Sequence, residues 1–84
     1  MTTKQKIEYM IQTLQIALYE LDYRDEYLQQ ESELSERNNN YYDTKQYFYD
    51  NHRNPNLTLI RENLKTVGRF AYIVEKEVPT IYSK

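Results

Sequence analysis

Arg61, Lys65 and Arg69 recur every four residues along one uninterrupted stretch. On a helix that spacing puts all three on one side, as a basic stripe. His52 and Arg53 lie just ahead of it. Tyr41, Tyr42, Tyr47 and Tyr49 cluster around Phe48, and Tyr19, Tyr23 and Tyr27 repeat every four positions. Cationic side chains take phosphates, aromatic faces stack on bases, and a helix start offers free amides to an anion. A phosphate-bearing ligand held between the stripe and the tyrosines is chemically reasonable. A protein partner is too, because Tyr combines a rigid apolar ring with a polar tip and suits interfaces.

Each group also has an ordinary explanation. Charged helix faces are usually solvated surface, and this stripe could also pair with an acidic segment elsewhere. Aromatic stripes at helical spacing usually belong to a core, with hydroxyls reaching water. That account is the stronger one for the stripe and for Tyr19, Tyr23 and Tyr27. It is weaker for the cluster around residue 41.

No other constellation specifies a reaction. His52 is the only histidine, and with Asp50 nearby it still falls short of the three or four ligands a metal site needs. The chain has no cysteine, so no Cys-His device exists. It has one glycine and hence no glycine-rich phosphate loop. The carboxylates fall on a face that reads as exposed, where nothing raises a pKa. The chain is read as a non-enzyme without metal or cofactor.

These groups are positioned by two apolar seams. Leu57, Ile60, Leu64, Val67, Ala71, Val74 and Val78 fall at alternating steps of three and four, the signature of a helix that packs on something. Asn54-Pro55 would start that helix, with Asn as cap and Pro in the first turn. Pro79 would stop it. The predicted span is 55–78, with Gly68 in its interior as a tolerated defect or a point of close approach. A second seam runs through Ile7, Met10, Ile11, Leu14, Ala17, Leu18, Leu21 and Leu28, without Pro or Gly. It predicts a long helix over 3–37 with Thr2 or Thr3 as cap. Asn38-Asn39-Asn40 ends it. In the connector 38–54, Tyr41, Lys45, Phe48 and Tyr49 could form one face of a short helix over 41–50, or Tyr47-Phe48-Tyr49 could run extended. The helix is favoured because no other segment offers a strand partner, and 79–84 are expected to form a tail.

Eighty-four residues allow one small domain. Hydrophobic residues make up 39% of the chain, but ten of them are Tyr, so the dry core is thin. With no disulfide available, oligomerisation or docking on a partner is the natural reinforcement. The net charge of −2 selects no partner, and DNA is not expected. Its distribution is uneven: Glu20–Arg37 holds seven acidic and two basic residues, whereas Lys45–Lys65 is basic on balance. Such patches can meet within a chain or between subunits. No apolar run approaches a membrane span, and the N-terminus leads into an amphipathic helix, not a signal peptide. A cytoplasmic location without membrane contact is expected. The abundance of Asn, Tyr, Lys, Ile and Glu matches translation of an AT-rich genome, as in low-GC bacteria and their phages.

The segments Leu57-Thr58-Leu59, Leu64-Lys65 and Phe70-Ala71 resemble the last helix of a phage anti-defence family. Its members are small helical sponges that sequester the cyclic oligonucleotides of bacterial CBASS immunity. The resemblance is confined to the C-terminal helix. It implies a compact helical oligomer that binds cyclic nucleotides between subunits, and no ligand residue is carried over from it.

The expected fold is all-α: a long helix and a shorter antiparallel helix joined by a Tyr-rich connector, in an oligomeric bundle. The expected function is a non-enzymatic interaction protein of a phage or mobile element that binds and inhibits a host protein. The alternatives are a cyclic-oligonucleotide sponge and a structural coiled-coil adaptor. Candidate binding residues are Tyr41, Tyr42, Tyr47, Tyr49, Arg53, Arg61, Lys65 and Arg69.

Overall fold

A computed structural model describes residues 1–37 and 41–78, with side chains described over 1–34 and 45–78. The fold is all-α. Helix α1 spans Thr3–Arg37, α2 spans Tyr41–Asn51 and α3 spans Leu57–Glu77. At ~1.5 Å per residue, the 35 residues of α1 run for about 52 Å. Helix α3 packs along the N-terminal part of α1, and α2 packs on α1 alone. The predicted tail, 79–84, lies outside the described residues.

The helix ends follow local chemistry. Thr2 caps α1 through a reciprocal box: its hydroxyl accepts from the Gln5 amide at 3.1 Å, and its own amide donates to the Gln5 side chain at 2.8 Å. The start of α3 differs from the expected Asn54-Pro55. Asn56 is the cap, its side chain accepting from the Leu59 amide at 3.0 Å. Pro55 thus lies one residue before the cap, because Glu20 binds the Asn56 amide and fixes the turn there.

The hairpin is antiparallel and in close register. Asn63 donates to the Thr13 carbonyl at 3.2 Å, and the Tyr9 and Phe70 rings meet at 5.0 Å. Glu77 pairs with Lys6 and accepts from Thr3 at the far end. Between the helices lie Thr13, Ala17 and Glu20 of α1 and Val74 of α3, all buried, with Met10, Ile60, Val67 and Phe70 half-buried.

The two predicted seams do not face each other squarely. Each splits into two rows at seven-residue spacing. The rows Met10-Ala17 and Ile60-Val67-Val74 turn inward. The rows Ile7-Leu14-Leu21-Leu28 and Leu57-Leu64-Ala71-Val78 look out on one side of the hairpin, and Ile11 and Leu18 extend that face on α1. Leu64 is 52% exposed and Leu18 58%. The physical reason is the polar register: Thr13-Asn63 and Glu20-Asn56 lie in the helix contact and rotate both seams off centre.

The result is an elongated, flat molecule. Its extents are 73 × 20 × 14 Å and its radius of gyration is 20.1 Å, against about 12 Å for a compact chain of this length. It exposes 7003 Å², where a compact monomer of this mass exposes about 5,400 Å².

Candidate functional site

The most developed polar cluster joins the middle of α1 to the loop before α3. Arg53 donates to Glu20 from both terminal nitrogens, at 2.6 and 3.0 Å. The Asn56 amide adds a third bond to the same carboxylate at 2.9 Å. The guanidinium lies 4.0 Å above the Tyr23 ring, and the Tyr23 hydroxyl donates to the Arg53 carbonyl at 2.6 Å. Tyr27 extends the cluster, donating to the Asn54 side chain at 3.3 Å. A bidentate Arg–carboxylate pair is directional, so it fixes the loop as well as neutralising charge. Arg53 is the largest cause holding the Glu20 carboxyl below its usual range, the Asn56 amide adding to it. Glu20 in turn raises the Arg53 pKa.

This arrangement assigns Arg53 a structural role. Among the candidates with described side chains, Arg53 is bound to Glu20, Tyr49 to Glu31 and Lys65 to Glu62. Glu20 is the residue that sequence reading missed. The available signal was its register: Thr13, Ala17 and Glu20 share one face, so a carboxylate falls on the inner stripe.

Helix α2 sits beside the C-terminal part of α1. Phe48 is buried against Tyr27 at 4.9 Å and stacks on His52 at 4.3 Å. His52 Nδ1 lies 2.9 Å from the Phe48 carbonyl, an acceptor, so that nitrogen carries the proton and donates. His52 thus closes the end of α2. Tyr49 is partly exposed and donates to Glu31 at 2.8 Å, the main reason its pKa is raised. Tyr47 is 70% exposed. Tyr41 and Tyr42 lie outside the described side chains. The helical tyrosines diverge: Tyr27 is buried, Tyr23 is half-buried and Tyr19 is 74% exposed.

Arg61, Lys65 and Arg69 are exposed on α3. Lys65 makes an exposed pair with Glu62 at 3.6 Å. Lys65, Gly68, Arg69, Tyr72 and Ile73 line an open hollow of ≈670 Å³ on the side of α3 away from α1. An added Cβ at Gly68 would meet nothing within 4 Å, so no close approach within the chain requires this glycine.

The stripe and the α2 tyrosines are not brought together. The stripe lies level with Tyr9–Thr13 of α1, whereas Phe48 and Tyr49 meet Tyr27 and Glu31. Some 14 residues of α1 separate the levels, about 21 Å along its axis. The expected ligand site between the two groups therefore does not form within one chain. The reason is topological: α3 turns back from Asn56 and carries its cations away from α2.

Among the described residues, no three His, Cys, Asp or Glu side chains converge on a metal-sized site. No described helix is long and apolar enough to cross a membrane. The fold and site together define a helical hairpin with a docked third helix, without an assembled catalytic constellation among the described residues. Comparison with family models, curated proteins and solved structures gives no match.

Proposed function

We propose that this chain is a non-enzymatic interaction protein that binds and blocks a host protein, and that α2 is its docking surface. The observation that carries this reading is the division of labour in α2. Among the described side chains of residues 45–51, Phe48 is the buried one, while Tyr47 stands in solvent. A connector that merely closed a hairpin would need the anchor and not the displayed ring. Tyr offers large contact area at low rotamer entropy and is enriched in interface hot spots. The Asn- and Tyr-rich, Ala-poor composition supports an origin in a phage or mobile element of an AT-rich host, acting in the host cytoplasm. Affinity capture from a low-GC bacterial lysate, with wild type and Tyr47→Ala side by side, tests the reading. The expected result is a host protein retained by wild type and lost with the variant. Equal retention by both proteins refutes it.

The second reading is a sponge for cyclic oligonucleotides. It is favoured by the open hollow beside Gly68, where Lys65, Arg69 and the Tyr72 ring share one side of α3. A ligand that binds only the folded state raises the melting temperature by mass action. A panel of cyclic di- and trinucleotides at about 100 μM tests it. A shift abolished by Arg69→Glu supports the sponge, and no shift with any member of the panel retires it.

A further inference from the structure

We infer that the outward apolar rows of α1 and α3 are covered by a second copy of this chain, with the two α1 helices antiparallel. The face is continuous. Ile7, Ile11, Leu14, Leu18, Leu21 and Leu28 line α1, and Leu57, Leu64 and Val78 line α3, each more than a third exposed. Leu14, Leu18 and Leu21 share one apolar groove with Ile60 and Leu64 across the helix pair. The chain exposes roughly 1,600 Å² more than a compact monomer of its mass, about twice what one partner contributes to a standard interface. Rows at seven-residue spacing are the pattern by which helices interdigitate with other helices.

Charge identifies the occupant and its direction. The acidic half of α1, from Glu20 onward, and the basic stripe of α3 do not meet within the chain. The stripe lies level with Tyr9–Thr13, on the other half of α1. Among the described residues Arg61, Arg69, Asp22 and Glu26 carry no ion pair. A second copy turned end for end brings the two patches together. Its α1 then sets Leu21 against Leu14 and Leu28 against Ile7, with every apolar position of that row matched. The same rotation brings its acidic half level with the basic stripe, at the edge of the paired faces. Asp25, the polar break in the α1 stripe, comes opposite Met10, at a level between Lys65 and Arg69 of the other copy. A parallel pair would instead lay two acidic halves side by side, which costs association free energy. A two-fold pair of this kind is isologous, so any contact between an acidic half and a basic stripe forms twice.

Four measurements decide it, all on the full chain. Sedimentation equilibrium should give twice the 10.3 kDa chain mass, with dissociation favoured by salt because exposed charges are screened. Leu18→Glu should abolish the dimer while keeping a helical circular dichroism spectrum, since Leu18 adds little to the fold of one chain. Arg61→Glu with Lys65→Glu, which leaves the apolar face intact, should weaken the dimer roughly tenfold or more. Direction is read by crosslinking, which is clean because the chain has no cysteine. Under oxidation, Ile7→Cys mixed with Leu28→Cys should crosslink far more than either protein alone. A monomer at about 100 μM overturns the proposal and leaves the face to another partner. A trimer or larger assembly overturns it, as does Ile7→Cys crosslinking to itself as readily as to Leu28→Cys.

Discussion

Replacing Phe48 with Ala should detach α2 without unfolding the hairpin. The Phe48 ring is 5% exposed and meets Tyr27 and His52 at 4.9 and 4.3 Å between centroids. A buried aromatic side chain removes about 150–250 Å² from water, and truncation to Ala forfeits roughly 120 Å² of it. At ~25 cal/mol per Å² that is about 3 kcal/mol. This is the low end of the ~3–5 kcal/mol range for core Phe→Ala changes, as fits a helix that packs on α1 alone. Among the described contacts, the surface bond from Tyr49 to Glu31 is then the main polar tie of this segment to α1. A free helix of this length is marginal in water, so α2 should unfold locally. Amide hydrogen exchange reads the outcome. Residues 45–51 should exchange about a hundredfold faster, corresponding to about 3 kcal/mol, while residues 59–74 keep their protection. Unchanged protection in α2 would refute the assignment of Phe48 as its anchor. Equal loss in α3 would refute the independence of the hairpin.

The Glu20–Arg53 clasp should be acid-sensitive. Arg53 holds the Glu20 carboxyl below the ordinary value of 4.5, so its stabilisation is full above that pH and fades as pH falls through the lowered value. Melting temperature should drop on acidification below about 4.5, and Glu20→Gln should melt lower than wild type at pH 7 but converge with it in acid. A constant gap between the two proteins would show that the effect is not ionic. Gly68→Ala should stabilise by about 1 kcal/mol, because mid-helix Gly is costly and the site is open. In thermal melts that is a rise of about 4–8 °C, and a fall would reveal a contact requiring glycine there. Leu64→Asp should shift association more than fold, because Leu64 is half in solvent. Its melting temperature, followed against protein concentration, should lack the dependence expected of wild type if the proposed dimer forms.

Much of the fold was legible in the sequence. Three-and-four spacing specified both long helices, and the Asn run before residue 41 marked the break between α1 and α2. The start of α3 was misplaced by two residues because Asn54, Pro55 and Asn56 offer similar local signals. A long-range bond from Glu20 to the Asn56 amide decides among them. The facing of the seams was not legible either. Periodicity says that a stripe packs, not which edge of it packs inside the chain, and polar pairs such as Asn63 with Thr13 set that rotation. The candidate site was legible in type and not in place. Arg53 is spent on Glu20, Phe48 is a plug and Tyr47 is free. Sequence clustering alone could not separate those roles, because they depend on which face of an 11-residue helix meets α1.

On the proposed function, α2 displays a protein-binding surface distinct from what holds the fold together. Titration calorimetry of the captured host protein against wild type and Tyr47→Ala, with the melting temperature of each sample, tests it most directly. Tyr47 is exposed, so truncation should change stability by less than about 0.5 kcal/mol. The account predicts a Kd raised at least tenfold, or about 1.4 kcal/mol, at an unchanged melting temperature. An unchanged Kd per folded molecule would contradict it.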